Sequence, residues 1–102
     1  MGSALVHTDA ASRKSTITVM WENTKQPVAD AVVKLGWGKN CGLLECSSYQ
    51  KSGKSGGKGR IVFMNLPSEK INWCVYAAKL NSTSISCDAT HDRPIDSAIT
   101  IE

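Results

Sequence analysis

Ile71-Asn72-Trp73-Cys74-Val75-Tyr76-Ala77-Ala78-Lys79, followed by Leu80-Asn81-Ser82 and then Thr83-Ser84-Ile85-Ser86-Cys87-Asp88-Ala89, is the stretch that decides the fold. The first segment carries Trp73, Val75 and Tyr76, residues that fit a pleated, half-buried surface. Leu80-Asn81-Ser82 punctuates it, and the segment from Thr83 to Ala89 pairs back. This is a strand, a tight turn and a returning strand. No window of the chain shows helical periodicity.

The same grammar extends outward in both directions. Thr16-Ile17-Thr18-Val19-Met20-Trp21 alternates with Ile17, Val19 and Trp21 on one face, and Glu22 to Pro27 is a polar turn. Ala31 to Trp37 reads as a second strand with Ala31, Val33 and Leu35 on one side. Gly36, Gly38, Asn40 and Gly42 break it and open a loop, after which a weak third strand is expected from Cys46 to Gln50. Ile61 to Met64 forms a buried strand, and Asn65 to Lys70 turns it. His91-Asp92-Arg93-Pro94 is another turn, and Ser97 to Ile101 ends the series. About seven short strands with turns between them predict an all-β, antiparallel β-sandwich of the immunoglobulin-like kind.

The chain has 102 residues, 41% hydrophobic, with net charge +3 and a pI near 8.7. One modest core fits this length, and no apolar run approaches a membrane span. The charge is too small to make nucleic acid a default partner. Met1 to Ser15 holds no apolar stretch of signal-peptide length, and Val6 breaks the myristoylation pattern. Met1-Gly2-Ser3 reads as a start plus cloning residues. Residues 1–14 are therefore expected to be a disordered arm, with a single sandwich domain over 15–102.

Four cysteines, Cys41, Cys46, Cys74 and Cys87, stand in this small chain. Their even number fits disulfides formed in an oxidising compartment, so the domain is expected to be disulfide-stabilised and secreted. Buried free thiols and a metal site are the alternatives. The C-x4-C and C-x12-C spacings, 27 residues apart, match no usual zinc knuckle, so no metal is expected. Asn81-Ser82-Thr83 is an N-glycosylation triplet that fits the same setting.

Three segments, Pro27 to Leu35, Gly59 to Pro67 and Ile71 to Ala77, follow one another in an order that resembles prealbumin-like modules of the carboxypeptidase regulatory-like and Cna B-type kind. The resemblance implies a β-sandwich that serves as an extracellular interaction or adhesion module. It also suggests a register in which Ile71, Trp73, Val75 and Ala77 face the core while Cys74 and Tyr76 face outward. In that register, with a turn at Leu80-Asn81, Cys74 falls opposite Cys87 at a separation close to disulfide reach. Cys41 would then pair with Cys46 around Gly42-Leu43-Leu44-Glu45. This is the favoured one of three connectivities.

The candidate functional residues lie in two loops, 36–45 and 51–59. Lys51 to Gly59 (KSGKSGGKG) is too rich in glycine, serine and lysine to bury anything and reads as an exposed, mobile hairpin loop. Its amides, with Lys51, Lys54, Lys58 and Arg60, could hold an anionic group; the simpler reading is a solvated tip. Gly53-Lys54-Ser55 matches the end of a P-loop, but Ser48 stands where the first glycine is required, so nucleotide binding is excluded. Trp21 and Trp73 are in phase with the core, whereas Trp37, between Gly36 and Gly38, is the tryptophan expected to be partly exposed and able to stack on a sugar.

Catalysis finds little to work with. His7 lies in the arm, and His91 with Asp88, Asp92 and Arg93 fits a capped turn better than a base with its orienting carboxylate. The expectation is a non-enzymatic binding module without a cofactor, whose partner is a protein or polysaccharide, anionic ones included. The alternative is a free-standing secreted effector, toxin or inhibitor acting on a host protein, a membrane or a wall polysaccharide.

Overall fold

The computed structural model describes residues 14–67, 71–91 and 96–102, together with the backbone but not the side chains of Ile71 and 89–91. Of the expected arm, only Lys14 falls within this set. Seven strands follow in chain order: β1 Ser15–Trp21, β2 Val32–Trp37, β3 Lys51–Lys54, β4 Arg60–Phe63, β5 Ile71–Lys79, β6 Ser82–His91 and β7 Ser97–Ile101. They form a three-stranded sheet in the order β4-β1-β7 and a four-stranded sheet in the order β3-β2-β5-β6. No helix occurs among the described residues. The fold is a two-sheet β-sandwich.

Alternation explains which side chains meet between the sheets. On β1, Ile17 and Val19 are buried while Thr16, Thr18 and Met20 look outward. On β2 and β5, Val33, Leu35, Trp73, Val75 and Ala77 point the other way into the same core, where Phe63, Ile99 and Ile101 complete it. Trp21, Trp37 and Ile61 pack at its margin. Val28 and Leu66, which no alternation singles out, are also buried there.

The β5–β6 hairpin turns at Leu80-Asn81, and its register sets Cys74 opposite Cys87. Along β2, Gly36 lies opposite Cys74 and Lys34 opposite Tyr76. One pair departs from the antiparallel expectation: β7 runs parallel to β1, Val19 opposite Ile99. Chain connectivity is the reason, because β7 returns from the edge of the larger sheet and docks beside the first strand of the smaller one.

Three sequence expectations need correction. Ile61 to Met64 is not a buried strand: β4 is Arg60–Phe63, Phe63 is buried, and Val62 and Met64 are 49% and 51% exposed because they face away from the core. Cys46 to Gln50 is not a strand; the third strand is Lys51–Lys54, paired with β2 so that Lys34 faces Ser52. Gly53 is suited to that place, since a Cβ there would lie 2.6 Å from the Ile61 side chain. Nor is Lys51 to Gly59 wholly a solvated loop: Ser52, Lys54 and residues 56–58 are exposed, but 51–54 is strand and two residues are buried. Ser55 is only 2% exposed, and Gly59, at φ +76°, sits where a Cβ would be 2.5 Å from the Val19 carbonyl. The Ser55 hydroxyl donates to Val28 O at 2.6 Å and accepts the Ala31 N–H at 3.0 Å. Its backbone N–H donates to Ala31 O, and its carbonyl accepts the Asp30 N–H. A hydroxyl that satisfies two backbone groups can be buried without penalty, which a composition count cannot register.

Ser55→Ala would leave the Val28 carbonyl and the Ala31 N–H without their side-chain partner, at a cost of about 2 kcal/mol. Chemical denaturation of the oxidised protein is expected to show that loss, with Lys58→Ser close to wild type. A neutral Ser55→Ala would mean that this segment is solvated after all.

Candidate functional site

The outward face of the larger sheet carries the site, and Gly36 makes it possible. A Cβ at Gly36 would lie 2.7 Å from Cys46 Sγ, 3.0 Å from the Tyr49 ring and 3.1 Å from Ser48 O. Because none is present, residues 38–50 fold back across the sheet. The chain leaves β2 through Gly38, whose φ of +98° is open to glycine at little cost.

Polar groups then fix the loop. Asn40 donates from Nδ2 to Trp37 O at 3.0 Å and accepts the Ser48 N–H on Oδ1 at 3.1 Å. Its carbonyl accepts the Ser47 N–H at 2.8 Å. Gln50 clasps Trp37, donating from Nε2 to its carbonyl and accepting its N–H. From the neighbouring strand, Asn72 Nδ2 donates to Cys41 O at 2.9 Å. These bonds hold the loop stem from both sides.

Inside this frame, disulfides join Cys41 to Cys46 and Cys74 to Cys87. Cys41, Cys46 and Cys74 form a second small core, flanked by Tyr49 and Cys87. Their three sulfur atoms lie within 4.8 Å of one another, so the two bridges stack. Cys74 lies on the outward face of the sheet and is nevertheless 0% exposed, because the loop covers it. Tyr76 remains half-buried beside it, 6.0 Å from the Tyr49 ring centroid and under Lys34 Nζ at 5.2 Å.

What the bridge presents is apolar. Gly42 N–H donates to Glu45 O at 2.9 Å and closes a miniature hairpin between the bridged cysteines. Its tip is Leu43 and Leu44, 78% and 84% exposed. Exposure of apolar surface costs free energy, and nothing among the described residues covers these leucines. The signal available in the sequence was a pair of leucines between close cysteines, flanked by Gly42 and Glu45, with no strand alternation to claim them.

The other candidate residues do not converge. Lys51 and Lys54, three apart on β3, project to opposite faces of the sheet. Lys58 is exposed in the 56–59 turn, and Arg60 is exposed at the start of β4, opposite Thr18 in the smaller sheet. The four cations therefore form no single anion cradle. Trp37 is half-buried with its ring centroid 5.4 Å from that of Trp73, so it packs on the main core rather than standing free. Asn81 is exposed at the β5–β6 turn, beside an open polar groove of about 360 Å³ lined in part by Glu22, Ser82, Ser84 and Thr100. Asp92, Arg93 and the His91 side chain lie outside the described residues, as does His7.

In comparisons with known proteins, the sequence matches no protein-family model and no curated protein at a significant level.

Gly36→Ala would force Cys46 and Tyr49 off the sheet. A methyl inserted into a filled contact costs about 1–3 kcal/mol. Thermal unfolding of the oxidised variant is expected several degrees below wild type, with faster reduction of the Cys41–Cys46 bridge. Wild-type behaviour in both would contradict the packing of the loop on β2.

Proposed function

We propose that the protein is a non-enzymatic, secreted or cell-surface binding module that recognises an apolar pocket on a partner protein through loop 36–45, with Leu43 and Leu44 as anchors. The observation that carries this reading is the pair of exposed leucines on a ring whose base is covalently closed and packed on a second disulfide. Adjacent leucines at such exposure are an apolar patch in search of cover, and a rigid support lowers the entropy lost on binding. Loop 51–59 takes a smaller part than its composition suggests, since much of it is strand or buried.

An extracellular setting accords with two disulfides, which persist in oxidising compartments, and no described helix is long and apolar enough to cross a membrane. The likeness to prealbumin-like interaction modules points the same way, and glycosylation of Asn81 at the exposed turn belongs to this reading.

The test measures binding of the oxidised protein to immobilised panels of purified secreted proteins, soluble polysaccharides and anionic phospholipid vesicles. The expected result is a protein partner whose affinity falls about a hundredfold in Leu43→Ser/Leu44→Ser, as removal of two buried leucine anchors implies. A triple Lys51→Ser/Lys54→Ser/Lys58→Ser variant should bind nearly as wild type. Binding to polysaccharide or vesicles that survives loss of the leucines and disappears with the lysines would contradict the proposal.

A further inference from the structure

The two stacked disulfides differ in what can reach them. Cys41, Cys46 and Cys74 are 4%, 5% and 0% exposed, whereas Cys87 is half-buried. Cys87 also stands on β6, the edge strand of its sheet, which among the described strands has β5 as its one neighbour there. An external thiolate must approach a sulfur along the line of the bond it breaks. Of the four cysteines, Cys87 is the one that offers such an approach.

We propose that Cys87 is an S-thiolation site for low-molecular-weight thiols, and that the displaced Cys74 sulfur passes the exchange on to the Cys41–Cys46 bridge. In the first step an external thiolate attacks Cys87 Sγ. A mixed disulfide forms on Cys87, the bond to Cys74 breaks, and its electron pair stays on Cys74. That sulfur is sealed between the sheet and the loop, where a charge is poorly solvated. Both sulfurs of the loop bridge lie within 4.8 Å of it.

In the second step Cys74 attacks that bridge. A bond forms from Cys74 to one loop cysteine, the Cys41–Cys46 bond breaks, and the electron pair leaves on the other loop cysteine, which takes a proton from water. Two disulfide bonds exist within the protein and its adduct before and after, so no oxidant or reductant is consumed. The charge has moved from the most buried sulfur to a loop whose residues 42–45 are exposed to water. The ring behind Leu43 and Leu44 is thereby opened and its base tied to β5. The consequence for partner binding rests on the function proposed above; the exchange itself does not.

The lysines of the chain make the chemistry readable. Trypsin cleaving after residues 39, 51, 70 and 79 places both loop cysteines on peptide 40–51, Cys74 on 71–79 and Cys87 on 80–102, where Pro94 protects Arg93 from cleavage. The native, oxidised protein is incubated with reduced glutathione, quenched in acid, alkylated and digested without reductant. Untreated protein should show 71–79 joined to 80–102. The singly modified protein should carry glutathione on 80–102 and a new link from 71–79 to 40–51, with one alkylated cysteine on 40–51, as its major form.

An adduct on 80–102 with an intact 40–51 ring and alkylated Cys74 would overturn the transfer. First modification of 40–51, or no adduct before the protein unfolds, would overturn the site. In Cys41→Ser/Cys46→Ser the adduct on 80–102 should remain while Cys74 becomes the alkylated residue. The wild-type peptide map decides the proposal even if that variant does not fold, and it does so whether or not any partner is ever found.

Discussion

The missing side chain at Gly36 is the constraint on which the outer half of this structure depends. It removes the one atom that would hold Cys46 and Tyr49 away from the sheet, and it lies opposite Cys74 in the register. The consequence is a second core, built from two bridges and a tyrosine, on a face that sheets of this kind often leave to water. In the chain-entropy view, bridges closing loops as short as these contribute about 2–3 kcal/mol each, a large share of the stability of a small domain. Their stacking adds something that entropy does not: it turns a flexible glycine-rich crossing into a fixed support.

The main core and this second core divide the labour. Ile17, Val33, Leu35, Trp73 and Ile99 hold the two sheets together. The cysteine core holds one loop against the outside of one sheet, and the hydrogen bonds of Asn40, Gln50 and Asn72 fix its stem. The tip is left with no structural duty, so its two leucines are available for recognition. That arrangement is the physical basis for assigning binding to the loop rather than to the lysines, which the pleat of β3 and the turn after it scatter over different faces.

Much of the sandwich was legible because it rests on alternation. Ile17 and Val19, Val33 and Leu35, and Trp73 and Val75 announce their faces in the sequence, and a turn at Leu80-Asn81 is enough to set Cys74 opposite Cys87. What composition hid was local satisfaction of polar groups. Ser55 lies in a stretch of serine, glycine and lysine yet is buried, because its hydroxyl serves Val28 and Ala31, residues distant in sequence. Gly59 and Gly53 looked like signs of mobility and are instead places where backbone or side chain approaches closely. The candidate site was half legible: the bridged ring could be expected from the cysteines, but its seat over Gly36 is a tertiary contact with no periodic signature. The same holds for the parallel docking of β7 on β1, which depends on where the chain returns and not on any pattern within either strand.

The most direct measurement of this account is the nuclear Overhauser spectrum of the oxidised protein around Gly36. Strong cross-peaks are expected between the Gly36 α-protons and the Tyr49 ring, and between the β-protons of Cys46 and Cys74. Their absence, with the 41–46 ring tumbling free of the sheet, would contradict the claim that the two disulfides form one core and that the leucine tip is held by it.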